Sequence, residues 1–178
     1  GRNKMTLEGK KIVVLLEKDF QDAEALYPYY RMKEAGADVV LAASEKIQYF
    51  GKYGYPLTAT KTFDELQARD FHAVIIPGGW APDFMRRSPA LLKFVKQMND
   101  DGKVIAAICH AGWVLTSAGV LKGRKVTCFT AIRDDVVNAG GIYEDKEVVV
   151  DKNLVTSRKP DDLPAFCREV IRLLEKQV

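Results

Sequence analysis

The chain has 178 residues, 47% of them hydrophobic and 10% aromatic, enough apolar material for one buried core and too much for a disordered segment. Its 27 basic and 24 acidic residues are interspersed and leave a net charge of +3, so neither a nucleic-acid-binding face nor an anionic-lipid face is expected. No apolar run approaches a membrane span and the first residues are polar, which predicts a cytoplasmic protein with a single domain over residues 5–178 and with Gly1 to Lys4, ahead of Met5, as a remnant of expression.

Lys11 to Glu17 (KIVVLLE) is a continuous apolar run of strand length, the pattern of a central strand covered on both faces. Asp22 to Gly36 reads as a helix capped by Asp22, with Leu26, Tyr29, Tyr30 and Met32 or the Lys33 stem turned inward, Gly36 as its stop, and Pro28 predicting a kink or a late start. A strand over Asp38 to Ala43 follows. Gln48 to Thr60 then alternates aromatic and polar residues between glycines, as a small antiparallel excursion does, and a short helix is expected around Phe63 to Leu66. In that excursion Tyr49, Phe50, Tyr53 and Tyr55 are read as an oligomer contact in preference to local core.

His72 to Ile76 is a further buried strand and runs into the side-chain-poor loop Pro77-Gly78-Gly79. Helical periodicity through Leu91, Leu92, Val95 and Met98 spans Pro82 to Asp101, with Gly102 as its end. Lys103 to Gly119 (KVIAAICHAGWVLTSAG) reads as strand, sharp turn and helix, with Cys109-His110 on the turn. Lys125 to Phe129 is expected as a strand, Ile132 to Ala139 as a helix, and Ile142 to Val150 and Asn153 to Ser157 as short strands. Asp161 or Asp162 caps a last helix with Leu163, Phe166, Cys167, Val170, Leu173 and Leu174 on one stripe. The alternation predicts an α/β fold, an open, doubly wound, mainly parallel sheet with helices on both faces.

In such a sheet the functional crevice opens at the carboxyl ends of the strands. Glu17 to Glu24, Pro77-Gly78-Gly79 and Cys109-His110 all fall there. A nucleophile on a strand-turn-helix is the elbow arrangement of hydrolases, here with cysteine and with Ala106, Ala107 and Ala111 as small neighbours. The helix start beside the sulfur is expected to favour thiolate and lower the thiol pKa, and the N–H groups of Gly78, Gly79 and His110 are candidates for an oxyanion hole. The chain holds two histidines; His110 neighbours the sulfur, whereas His72 opens a strand and is read as satisfied by backbone or water. Two distant histidines and three cysteines without C-x-x-C spacing support no metal site and no disulfide framework, and no cofactor is expected. Cys128 and Cys167 are read as core, and Asp134-Asp135 as helix capping.

Four blocks, GGWAPD at Gly78 to Asp83, AICHAGW around Cys109-His110, AGVLKGRKVT at Ala118 to Thr127 and VVVDKNLVTSRKPDDL at Val148 to Leu163, resemble the PfpI branch of the ThiJ/PfpI superfamily. The resemblance runs from Lys11 to Leu174. It implies a flavodoxin-like fold related to the class I glutamine amidotransferases. It further implies Cys109 as nucleophile, His110 as its base, Asp83 as an acid reaching the histidine from a neighbouring subunit of a homo-oligomer (a dimer or a dimer-built hexamer), and Glu24 as a protonated carboxyl beside the sulfur. The reactions it implies are conversion of methylglyoxal to lactate, deglycation, or intracellular peptide hydrolysis; a non-enzymatic oxidative-stress sensor or chaperone is the alternative.

The sequence also departs from the family pattern. A glutamate is shortened to Asp83, Ala111-Gly112 stands for a glycine-proline pair, Gln21 replaces a glutamate, Trp113 is expected to wall the pocket, and Phe129 occupies a position where some members have tyrosine. Arg158 is a candidate to line a neighbouring subunit's site. A glutamine amidotransferase needs a histidine far downstream, and none follows His110.

Overall fold

The computed structural model describes residues 5–177. β1 (Lys11–Leu15) leads to α1 (Asp22–Glu34), β2 (Asp38–Ala43), the hairpin β3 (Gln48–Phe50) and β4 (Pro56–Thr58), and the two-residue β5 (Lys61–Thr62). β6 (Ala73–Ile76), α2 (Ala81–Met85), α3 (Pro89–Asp100), β7 (Val104–Ile108) and α4 (Gly112–Ala118) form the middle of the chain. β8 (Lys125–Val126), α5 (Arg133–Asn138), β9 (Ile142–Tyr143), β10 (Val149–Asp151), β11 (Leu154–Ser157) and α6 (Leu163–Lys176) complete it.

The main sheet runs β10-β11-β7-β6-β1-β2-β5, parallel except for the β10 edge. Its five principal strands have the order β2-β1-β6-β7-β11, the flavodoxin-like doubly wound arrangement with its switch point between β1 and β6. α1 packs with α6, and α3 with α4, so that the two faces of β6 and β7 are covered and every residue of both strands is buried. The apolar strand runs therefore carry no polar alternation. No helix among the described residues is long and apolar enough to cross a membrane. Gly1 to Lys4 lie outside the described residues.

The differences from expectation have local causes. The helical stretch from Pro82 divides at Ser88-Pro89, where Ser88 caps α3 by accepting the Leu91 N–H at 3.2 Å and Pro89 takes the first turn. α1 starts at Asp22 and passes through Pro28 without interruption, and its cap is Gln21, whose side chain accepts the Glu24 N–H. Asp22 instead accepts the N–H groups of Tyr53 and Tyr55, each at 2.9 Å, and so ties the hairpin tip to α1. Tyr30 is exposed, not inward. The strand read over Lys125 to Phe129 is only Lys125–Val126, paired with β9 outside the main sheet, because Ile142 to Val150 divides into β9 and β10. Of the four aromatic residues in the excursion, Tyr49 is core, whereas Phe50, Tyr53 and Tyr55 are exposed.

Candidate active site

The fold brings three strand ends together. Cys109 follows β7 directly and carries a φ of +63°, a left-handed conformation that is costly for a residue with a side chain and that turns its sulfur out of the sheet top. One 3-10 turn, Cys109–Ala111, separates it from α4. The turn fits because its neighbours are small: Ala106, Ala107 and Ala111 are buried, and a Cβ on Gly78 would lie 2.8 Å from the Cys109 Cβ and 2.6 Å from Glu24 Oε1. The Pro77-Gly78-Gly79 loop thus presses its bare backbone against the elbow. Gly79, at φ +78°, pairs with Phe20 and fixes the loop to the end of β1.

The sulfur of Cys109 lies 3.3 Å from His110 Nδ1. The backbone N–H groups of His110 and Gly79 also point to the sulfur, which leaves them placed for an oxyanion on a carbon bonded to it. Gly78 is not the third donor, since its N–H is spent on Glu24 Oε1 at 2.8 Å. Glu24, fully buried on the first turn of α1, turns its other oxygen toward Cys109, and that oxygen has no N–H or O–H donor among the described residues.

Burial raises the Glu24 carboxyl from 4.5 to about 8, against the opposing pull of the Gly78 N–H and Lys52. Burial, helped by a charged Glu24, likewise pushes the Cys109 thiol up to about 12, which overturns the expectation of a thiol lowered by the helix start. The reason is that Cys109 is only 8% exposed and α4 is a short helix beginning three residues on, so desolvation outweighs two N–H groups and Lys52.

The two acids are neighbours and their protons leave in steps that belong to the pair. A charge on sulfur would be held by two backbone N–H groups and, while Glu24 keeps its proton, by its O–H; a charge on the carboxylate would be held by one N–H and a weak S–H donor.

Burial and Lys52 hold His110 below its ordinary 6.5, so at neutral pH it is an uncharged imidazole able to take a proton. Its ring stacks on Phe129 with centroids 5.0 Å apart, meets Trp113 edge-on at 5.1 Å and lies 5.7 Å from Trp80. The Trp113 indole donates to Asp135 at 2.9 Å, so Asp135 positions this wall in addition to sitting in the first turn of α5.

A cleft of about 170 Å³ opens over the sulfur, lined by Gln21, Lys52, Trp80, Phe129, Lys159 and Pro160 together with the groups above. Phe129 lines it as expected. Trp113 touches His110 from behind and is not part of the lining. Trp80, Lys52, Lys159 and Pro160 were not singled out as site residues by sequence reasoning. Trp80 had a signal, its place beside Gly79, whereas Lys52 and Lys159 sit in loops with no chemical pattern.

Asp83 does not meet His110 within the chain. It is on the outer side of α2, paired with Arg87 at 2.5 Å. Arg158 is held by Asp162 and Asp145 and is not among the residues lining the cleft. His72 accepts the Lys11 N–H at 2.9 Å, as a strand-edge histidine should. Cys128 and Cys167 are buried free thiols pushed up to about 12 by burial, although Cys128 lies beyond β8 and not within it.

Comparison with known proteins gives matches over most of the chain. The DJ-1/PfpI family model matches residues 10–173. A Pyrococcus furiosus protein named Deglycase PfpI is 46% identical over 165 residues, covering 93% of this chain and 99% of its own. An Escherichia coli protein named Protein/nucleic acid deglycase 2 is 43% identical, covering 93% of this chain and 98% of its own. Among solved structures, a two-domain protein with DJ-1/ThiJ/PfpI-like and ferritin-like domains from Anabaena variabilis superposes with a TM-score of 0.91 at 42% identity. The match covers 93% of this chain and about half, 48%, of that larger one.

Proposed function

This chain belongs to the DJ-1/PfpI family, and from that premise we propose that it is a cofactor-free cysteine enzyme acting on small reactive carbonyls or their adducts, as a deglycase or glyoxalase. The observation that carries the reading is the Cys109 sulfur in contact with His110 Nδ1 and with two backbone N–H groups, at the floor of a cleft of about 170 Å³.

The Cys109 sulfur attacks the aldehyde carbon of methylglyoxal. His110 takes the thiol proton as the C–S bond forms, the carbonyl π pair moves to oxygen, the His110 and Gly79 N–H groups hold the developing charge, and the imidazolium then protonates that oxygen. His110 removes the proton from that carbon and returns it to the neighbouring one through an enediol. The product is a thioester of lactate on Cys109. Water adds to the thioester, the C–S bond breaks, and lactate leaves, so one methylglyoxal and one water give one lactic acid. Glu24 remains protonated and donates to the sulfur whenever the sulfur carries charge.

The cleft volume favours a small carbonyl over a peptide, since ligand pockets usually start near about 300 Å³ and Trp80, Lys159 and Pro160 border this one closely. A pure oxidation sensor needs the sulfur but not an adjacent uncharged base, so the His110 contact favours catalysis. His110 makes no hydrogen bond through its second nitrogen among the described residues. We assign that place to Asp83 of another copy of the chain, released from Arg87 in a homo-oligomer. Three reduced thiols fit a cytoplasmic setting.

Cys109→Ser tests the reading. The expected result is loss of lactate formation from methylglyoxal with an unchanged far-UV spectrum, and retained turnover overturns the nucleophile assignment. A fluorogenic peptide assayed beside methylglyoxal separates the peptidase reading.

A further inference from the structure

Two ammonium groups border the cleft from opposite sides. Lys52 is on the hairpin that follows β2, held by its backbone N–H to Phe20 O at 2.9 Å and by the Asp22 anchor of the hairpin tip. Lys159 is on the loop that follows β11, next to Pro160. In the strand order β11-β7-β6-β1-β2, these two loops flank the Cys109 turn at the end of β7.

Neither lysine forms a salt bridge among the described residues, and Lys52 lies only against the Tyr53 ring, 5.5 Å from its centroid. The carboxylates nearby are committed elsewhere: Asp22 to the Tyr53 and Tyr55 N–H groups, Asp162 to Arg158, Asp83 to Arg87. Glu24 is the one acid among the residues lining the cleft and is held neutral by burial. Among its lining residues the cleft therefore carries two cations and no ionised acid at neutral pH.

Lys52 acts on the floor of the site, favouring ionised Cys109 and opposing protonation of His110. Lys159 is not among the leading influences on Cys109, Glu24 or His110. Its charge is thus free for what enters the cleft. Methylglyoxal is neutral and gains nothing from two cations, whereas an adduct with a carboxylate on its donor half gains from both. Trp80, 54% exposed at the same rim, offers an apolar surface to the remainder of such a molecule.

We propose that Lys52 and Lys159 form an anion-binding rim that selects carbonyl adducts bearing a carboxylate, such as adducts of free amino acids or their N-acyl forms. This rests on the carbonyl-adduct reading given above. With a thiol adduct, the carbinol carbon passes from the donor sulfur to Cys109: one C–S bond forms, the other breaks, and the donor leaves as a thiol carrying the proton given up by Cys109. The carboxylate stays on the departing donor, held by the rim until the transfer is complete.

The test uses the methylglyoxal hemithioacetals of N-acetylcysteine, which is anionic, and of N-acetylcysteine methyl ester, which is neutral. The ratio of kcat/KM for the two is compared in wild type, Lys52→Gln, Lys159→Gln and the double variant. Two exposed ion pairs predict a preference for the anionic adduct of roughly five- to tenfold at low salt, approaching parity at about 0.5 M salt. Each single variant should lower the ratio and the double variant should bring it near one. A wild-type ratio of one, or a ratio unchanged in the double variant, overturns the rim.

A binding arm separates this inference from the enzymatic reading. Cys109→Ser is titrated with the stable thioether N-acetyl-S-(2-hydroxypropyl)cysteine and with its methyl ester, followed by tryptophan fluorescence. Preferential binding of the acid without turnover of either adduct by wild type sustains the rim and overturns the reaction. No preference in binding overturns the rim whatever the turnover.

Discussion

Replacing Glu24 by Gln in a Cys109→Ser background isolates the buried carboxyl from the thiol that shares its titration. In the unfolded chain Glu24 loses its proton near 4.5, and in the native protein burial holds it to about 8. Below pH 4.5 both states are protonated and the contribution is fully present. From there to about pH 8 the native state keeps a proton that the unfolded state has released, and stability falls by about 1.4 kcal/mol for each pH unit. Above that the carboxyl is ionised in both states and the curve is flat. The whole decline is at most roughly 5 kcal/mol, a large share of an ordinary domain's stability.

Gln keeps the acceptor for the Gly78 N–H and has no charge to bury, so its stability carries no such slope. Urea unfolding at fixed protein concentration and at pH 5, 6, 7, 8 and 9 reads the difference. The two proteins should be close at pH 5, and the Gln variant should be the more stable by several kcal/mol at pH 9. Parallel curves would refute the neutral, buried carboxyl.

Titration of the thiolate absorbance in the otherwise native protein should show a lower midpoint in Glu24→Gln, because the amide cannot acquire the charge that helps burial push the thiol up; a higher midpoint would show that Glu24 stays protonated beside the thiolate as its donor. Gly78→Ala should cost about 1–3 kcal/mol of stability by crowding and should reduce turnover at least a hundredfold, since the new Cβ meets both Glu24 Oε1 and Cys109 Cβ; normal kinetics would show that the loop need not press on the elbow. The acid limb of kcat/KM should lie below pH 6.5, because burial and Lys52 keep His110 uncharged there, and a midpoint above 6.5 would exclude His110 as the base.

The central strands were legible because burial on both faces removes alternation and leaves plain apolar runs, as in Val104–Ile108. The amphipathic stripe of α6 was legible for the complementary reason, that one face of it meets the sheet. The short edge elements were not. β8 and β9 are two residues each, too short for a period to register, and their pairing is set by the return of the chain through Gly140 and Gly141. Asp22 looked like a cap because aspartate commonly is one, but a hairpin 31 and 33 residues later supplies two N–H donors that no local pattern foretells.

The site divides along the same line. Cys109, His110 and Gly79 are joined by a turn and a neighbouring loop, and their identities and the small residues around them announce that turn. What the elbow does electrostatically depends on groups that arrive from elsewhere. A helix start and two N–H groups favour thiolate, and on sequence alone nothing opposes them. Folding opposes them by removing water from the sulfur, and it places beside that sulfur a carboxyl that must itself stay protonated to be useful. A thiolate here is favoured by the His110 and Gly79 N–H groups and Lys52, and in the proposed mechanism also by the protonated Glu24, 85 residues away in the chain. The same separation hides Lys52 and Lys159, which gain chemical meaning only when β2 and β11 bring their loops to either side of β7. The proposed nucleophile is a local property of this chain; its charge state and its proposed choice of substrate are properties of the sheet order.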